Sequence, residues 1–185
     1  DARVLLLGLA PGAHGSNRTG RMFTGDSSGN FLYPVLYASG FASQSTSTDV
    51  NDGLTLQDAY ITATLRCAPP DNKPTPEEIA NCSDFLDREL RELRRVRVVV
   101  ALGRIAFEAY LNHLKRSGLL QSKKEYVFGH GALYRTPDRR WLLASYHPSN
   151  QNTATGKLTE KMFRDIFAKA RELASKKVEG QAARR

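Results

Sequence analysis

Residues 3–9 read Arg-Val-Leu-Leu-Leu-Gly-Leu, and from Val4 to Leu7 every side chain is apolar. A strand with one wet face would alternate, so an unbroken run predicts a strand buried on both sides. Residues 96–102 (Val-Arg-Val-Val-Val-Ala-Leu) repeat the pattern, and residues 60–65 and 141–146 read as two further strands. Residues 126–128 and 133–135 read as short extended pieces around Gly129-His130-Gly131. Helical segments lie between the strands. Residues 30–39 place Phe31, Leu32, Val35 and Leu36 on one face, with Pro34 in the first turn or so. Thr75-Pro76-Glu77-Glu78 is an N-cap, a first-position proline and an acidic first turn, opening a helix to about Leu93. Residues 103–114 form another helix. From Gly156 a closing helix carries Leu158, Met162, Ile166, Ala170 and Leu173 at helical spacing. Strands alternating with helices predict an α/β fold. The expected form is a three-layer α/β/α sandwich around a mainly parallel sheet of about four strands.

The chain has 185 residues, 41% hydrophobic and 25% charged, which suits one globular domain and excludes a disordered chain. We expect that domain over residues 1–177 and a basic tail over 178–185. No apolar run approaches the roughly 18 residues of a membrane span, and no signal-peptide pattern is present. The cytoplasm is therefore the expected compartment, with no membrane partner. Two cysteines cannot build a disulfide scaffold. Lys and Arg total 27 against 19 Asp and Glu, a net charge of +8 that favours a polyanionic partner. The last ten residues hold four basic groups and one acidic, so +3 of this surplus belongs to the tail. The chain opens at Asp1 and enters its first strand at once, so a preceding N-terminal segment is expected.

Ligands of open α/β sheets bind beyond the carboxyl ends of the strands. Four loops should meet there: residues 10–29, 67–75, 103–104 and 147–159. Gly8-Leu9-Ala10-Pro11-Gly12 does not fit a dinucleotide loop. Thr155-Gly156-Lys157-Leu158 lacks the Ser/Thr and the earlier glycine of a Walker A loop.

The match that holds is different. Gly8-Leu9-Ala10-Pro11-Gly12-Ala13-His14-Gly15, continued by Gly20-Arg21-Met22-Phe23-Thr24-Gly25-Asp26, resembles the first motif of the uracil-DNA glycosylases. His147-Pro148-Ser149 with Asn152, Thr153 and Gly156 resembles the second. The Gly-Leu-Ala-Pro-Gly-Ala-His form, with Asn72 in the Pro-rich segment after Cys67, is similar to the B-type (family 5) branch. The resemblance implies hydrolysis of the N-glycosidic bond of uracil, and of other deaminated bases, in double- or single-stranded DNA. It would leave an abasic site and initiate base-excision repair in the cytoplasm, at the nucleoid. Ala10 stands where most branches carry an acidic or amide residue. That departure keeps open an alternative, a non-catalytic DNA-damage-binding homologue.

The resemblance also implies roles. Phe23 stacks on the flipped base; the bland reading is a core Phe under a loop. Asn72 reads the base edge, since an amide offers a donor and an acceptor together; otherwise it stabilises its turn. His147 donates to the oxygen of the departing base. Asp26 orients water and supports cationic sugar, or else caps a helix before Ser27. Gly12 replaces a bulky Tyr of the most uracil-selective branch and implies a roomier pocket. Arg18, Arg21, Ser149, Thr153, Thr155 and Lys157 are expected on phosphates, and Gln151 with Asn150 as a wedge. Arg135, Arg139 and Arg140 are expected on the same surface. Cys67 and Cys82 match the internal pair of a structural 4Fe–4S cluster whose other two ligands would lie upstream of residue 1. A monomer is expected.

Overall fold

A computed structural model describes residues 1–176. The sheet has five strands in the order β2-β1-β3-β5-β4. They are β1 (Val4–Gly8), β2 (Ala59–Ala63), β3 (Val98–Leu102), β4 (Leu133–Arg135) and β5 (Trp141–Ser145). Pairing is parallel except for β4, which lies antiparallel along β5 with Leu133 opposite Leu143. The expected sheet of about four strands is thus extended by a fifth. Residues 133–135 join it, while 126–128 remain irregular.

Burial on both sides is met residue by residue. Val4, Leu6, Val98, Val100, Leu102 and Leu143 enter one core. Leu5, Leu7, Val99, Ala101, Leu142 and Ala144 enter the other. The first is closed by α2 (Ser27–Ala38) and α6 (Glu160–Ser175), the second by α3 (Pro76–Glu92) and α4 (Arg104–Arg116). Short helices α1 (Ser16–Thr19) and α5 (Asn150–Ala154) sit in the loops after β1 and β5.

The helix α3 starts as its sequence dictates. The Glu78 amide donates to Thr75 Oγ1 at 3.2 Å, and the Glu78 carboxylate accepts from the Thr75 amide at 2.7 Å. Helix α2 corrects its expected start. It begins at Ser27, one turn earlier, so Pro34 lies inside it rather than in its first turn. The cause is Asp26, whose Oδ1 accepts the Gly29 amide at 2.9 Å and nucleates the helix there.

Replacing Leu6 by Ala, fully enclosed between two strands, should cost about 2–5 kcal/mol in urea unfolding. Val127→Ala, 68% exposed, should stay within about 0.5 kcal/mol.

Candidate active site

The loops after β1 and β3 depart to opposite faces of the sheet, α2 on one and α4 on the other. In α/β folds, neighbouring strands whose connections diverge in this way leave a crevice at their carboxyl ends, where ligands bind. His147 enters it from the loop after β5. Gly103, at φ +103°, ends β3 so close by that a Cβ there would lie 3.4 Å from the His147 Cβ. The Asn152 side chain, at the foot of α5, donates to the His147 carbonyl at 2.9 Å.

The loop after β1 is held by its own polar groups. Ser16 Oγ accepts the Phe23 amide at 2.9 Å, and Tyr33 on α2 donates its hydroxyl to the Met22 carbonyl at 2.8 Å. Thr19 donates to the Gly15 carbonyl at 3.0 Å. These bonds hold Phe23 in a left-handed conformation, φ +55°, unusual for an aromatic residue and a sign of imposed local geometry. Its ring abuts Gly8, where a Cβ would meet Cζ at 3.1 Å, and lies 5.9 Å from the His147 ring. Phe23 is only 4% exposed, so the core reading is met at the edge of the site itself.

Asp26 does more than cap. Its Oδ2 projects over the loop, where a Cβ at Gly12 would meet it at 3.1 Å and one at Gly15 would collide with the carboxylate. Gly12 therefore leaves room for a carboxylate of the same chain, as well as being small beside the crevice. The negative charge of Asp26 also favours protonation of His147, but burial opposes it more strongly. The imidazole pKa is pushed down to about 4. His147 is therefore neutral near pH 7 and can donate from one ring nitrogen without carrying a charge. The site thus pairs a neutral donor with an acidic side chain.

The other predicted residues separate into groups. Asn72 ends a 3-10 turn, Pro70–Asn72, exposed and left-handed at φ +56°. Its side chain makes no hydrogen bond among the described residues, so the turn-stabilising reading finds no support from that group. The Thr64 amide and hydroxyl both donate to the Gly8 carbonyl at 3.0 Å, tying the segment that leads to this turn onto the end of β1. Ala10 lies half-buried in the loop after β1. Arg18 is exposed, its Nε donating to the His14 carbonyl. Ser149 caps α5, and Thr153 donates to carbonyls of its own helix. Gln151 and Lys157 are exposed, with Lys157 Nζ 5.1 Å from the Tyr146 ring centroid.

Two expectations are corrected. Arg21 forms a two-pronged pair with Asp52 (2.8 and 3.1 Å), with Ser47 as a further partner. It holds the Asp52 carboxyl well below the usual carboxylate range and pins one loop to another. Arg21 is thus structural, both of its terminal nitrogens engaged by Asp52. Arg135, Arg139 and Arg140 lie at the opposite end of the sheet, because β4 runs antiparallel and its hairpin to β5 turns there.

Sequence reasoning missed Gly15, whose need shows only once Asp26 folds over it. It also missed His130, whose Nδ1 accepts the Tyr146 amide at 3.1 Å, one residue before His147. The Gly-His-Gly sequence around it was the available signal. Cys67 is exposed and Cys82 half-buried, both free thiols. Among the described residues no group of three or more His, Cys, Asp or Glu is placed to hold a metal. Two thiols do not by themselves fit a four-ligand cluster.

Comparison with known proteins decides the family. A family model described as the uracil DNA glycosylase superfamily matches residues 1–171. The chain belongs to the uracil-DNA glycosylase superfamily. It is 56% identical over 174 residues to the type-5 uracil-DNA glycosylase of Thermus thermophilus, covering 94% of this chain and 77% of the relative. The type-5 enzyme of Mycobacterium tuberculosis is 47% identical over 173 residues, covering 93% and 63%. A type-4 uracil-DNA glycosylase of Archaeoglobus fulgidus is 32% identical over 154 residues, covering 80% and 66%. The family that the motifs suggested is thus the family of the chain. No helix among the described residues is long and apolar enough to cross a membrane.

The buried imidazole has a measurable consequence. The unfolded chain protonates His147 near pH 6.5, the folded chain only near pH 4. Below pH 6.5 the unfolded state therefore binds more protons, and folding stability falls as pH drops through this window. The loss reaches about 3 kcal/mol. Urea unfolding from pH 7 to pH 4 should show it, and His147→Asn should remove that part of the slope.

Proposed function

We infer that this chain is a monofunctional uracil-DNA glycosylase: it hydrolyses the N-glycosidic bond of uracil in DNA and leaves an abasic site for repair. Family membership and the type-5 relatives support the activity. The observation that carries the mechanism is the juxtaposition of a neutral His147 with the Asp26 carboxylate at the strand ends.

Excision begins by taking the nucleotide out of the stack. The uracil ring then lies against Phe23, with Asn72 reading its edge by donating to a carbonyl oxygen and accepting the adjacent N–H. As the glycosidic bond breaks, the electron pair leaves with the base and negative charge grows on its carbonyl oxygen. His147 stabilises that charge by hydrogen bonding while keeping its own proton. The sugar becomes cationic. Asp26 Oδ2, held above the Gly12–Gly15 turn, stabilises that charge and orients water toward the sugar carbon. Ala10 supplies no acid or base, so this work rests on Asp26. Gly12 leaves the crevice open to deaminated bases other than uracil. Arg18, Lys157, Ser149 and Thr153 hold phosphates on either side, and Gln151 fills the gap in the duplex. The enzyme works as a monomer on double- or single-stranded DNA, in the cytoplasm at the nucleoid.

Two roles of Asp26 are separable. Asn caps helices as well as Asp does but carries no charge. On a labelled duplex with one uracil, followed by alkaline cleavage of abasic sites, Asp26→Asn and Asp26→Ala should both slow excision about 10²-fold or more. Only Asp26→Ala should also lose about 1 kcal/mol of stability. Wild-type rates for Asp26→Asn would reduce the residue to a cap. Retained DNA binding without any cleavage by the wild type would leave the damage-reader alternative.

Cys67 and Cys82 are our candidates for two of four thiolates of a structural 4Fe–4S cluster, completed by ligands outside residues 1–185. Such a cluster would brace the segment carrying Asn72 and take no part in the chemistry. Anaerobically purified full-length protein should then show a broad visible absorption band, lost in Cys67→Ser. A colourless, iron-free protein of full activity would dismiss it.

A further inference from the structure

The end of the sheet farthest from the crevice carries its own concentration of charge. A cleft of about 390 Å³ opens where β3 and β5 begin, lined by seven arginines and one carboxylate, Asp138. Part of this set is structural. Arg3 pairs with Asp58 at 2.7 Å. Arg97 donates to the Ala174 and Lys176 carbonyls, and Arg140 to those of Leu90 and Leu93, closing helix C-termini. Arg95 meets Asp1 at 3.1 Å, but both groups are largely in water, where such a pair contributes little.

Arg94, Arg135 and Arg139 are different. All three are exposed, and none pairs with a carboxylate among the described residues. Arg135 lies over the Trp141 ring, 5.1 Å from its centroid, which leaves its charge uncompensated. Folding thus gathers guanidinium groups here without neutralising them. A surface that only needed solubility would gain nothing by concentrating one sign around a cleft.

We propose that this cleft is a second, sequence-independent DNA site, taking the phosphodiester backbone of a separate duplex segment while the crevice holds the one under inspection. The proposal rests on DNA being the substrate. Two observations favour DNA phosphate. Arginine forks match phosphate oxygens two at a time. The lining offers no exposed apolar anchor, its one apolar residue being the buried Val96, whereas protein interfaces centre on such anchors. The sheet itself separates the two sites, so one straight duplex does not serve both. A glycosylase with two such faces passes between segments without first dissociating, shortening its search through undamaged DNA.

The test uses full-length protein and the double variant Arg94→Glu/Arg139→Asn, the Asn chosen because Arg139 sits at φ +64°. Protein held on an immobilised uracil-free duplex is offered a second, fluorescent uracil-free duplex. The wild type should capture it and the variant about tenfold less. The log–log salt slope of capture should shrink by about two, one for each lost cation. Excision from a short uracil duplex should be equal in both proteins. Equal capture and slope, or no capture by the wild type, overturns the proposal. A glutamate-rich peptide that outcompetes the duplex at matched charge, and loses its grip in the variant, overturns it in favour of an acidic protein. Absent excision with intact, variant-sensitive capture would instead sink the catalytic reading and leave this site standing. If the double variant melts early, Arg94→Glu alone carries the same test, with the slope shrinking by about one.

Discussion

Everything in this molecule follows from strands that have no wet face. Residues 4–7 and 98–102 bury alternate side chains in two separate cores, so neither core forms unless helices cover both sides of the sheet. Parallel strands need crossovers long enough to carry such helices, and the crossovers must leave from the carboxyl ends. With β1 between β2 and β3, its outgoing loop and that of β3 part to opposite faces. The crevice is the gap they leave. The candidate site is therefore a consequence of how the hydrophobic load is divided, and the loops have only to furnish it.

The loop after β1 furnishes it economically through Asp26. One oxygen fixes the start of α2 by accepting the Gly29 amide, and the other overhangs Gly12 and Gly15. Cap and candidate catalytic carboxylate are the same group, so the alternatives posed by sequence were not exclusive. A cap is a good mount for a reacting carboxylate. It locks the side-chain rotamer against a helix that is itself packed on the sheet through Leu32, Val35 and Leu36.

Much of this was legible because it depends on local rules. Two-sided strands, the Thr75 capping box and the stripe of α6 each announce themselves within a few residues. What failed depends on distant partners. Arg21 reads as a phosphate ligand until Asp52, thirty-one positions away, closes on it from another loop. Arg135 to Arg140 read as neighbours of the second motif until β4 proves antiparallel and turns them to the far end. Pro34 was placed too early because the Gly29 beside the cap disguises a helical first turn. The roles proposed for Phe23 and Asn72 rest on family resemblance alone, since neither burial nor periodicity marks a base pocket.

The charge state of the site turns on a contest between two effects. Asp26 pulls the His147 pKa upward, and in water a carboxylate beside an imidazole would win. Here burial wins, and the ring stays neutral to about pH 4. Had the Coulomb attraction prevailed, His147 would carry a positive charge offset by the Asp26 carboxylate. Such a pair has little left to offer a substrate. In the mechanism proposed above, desolvation keeps the two apart chemically, so that each meets a different part of a transition state that splits into an anionic base and a cationic sugar. The folded chain bears the stability loss of that burial below pH 6.5, and the enclosing packing of Phe23, Gly8 and Gly103 is what maintains it.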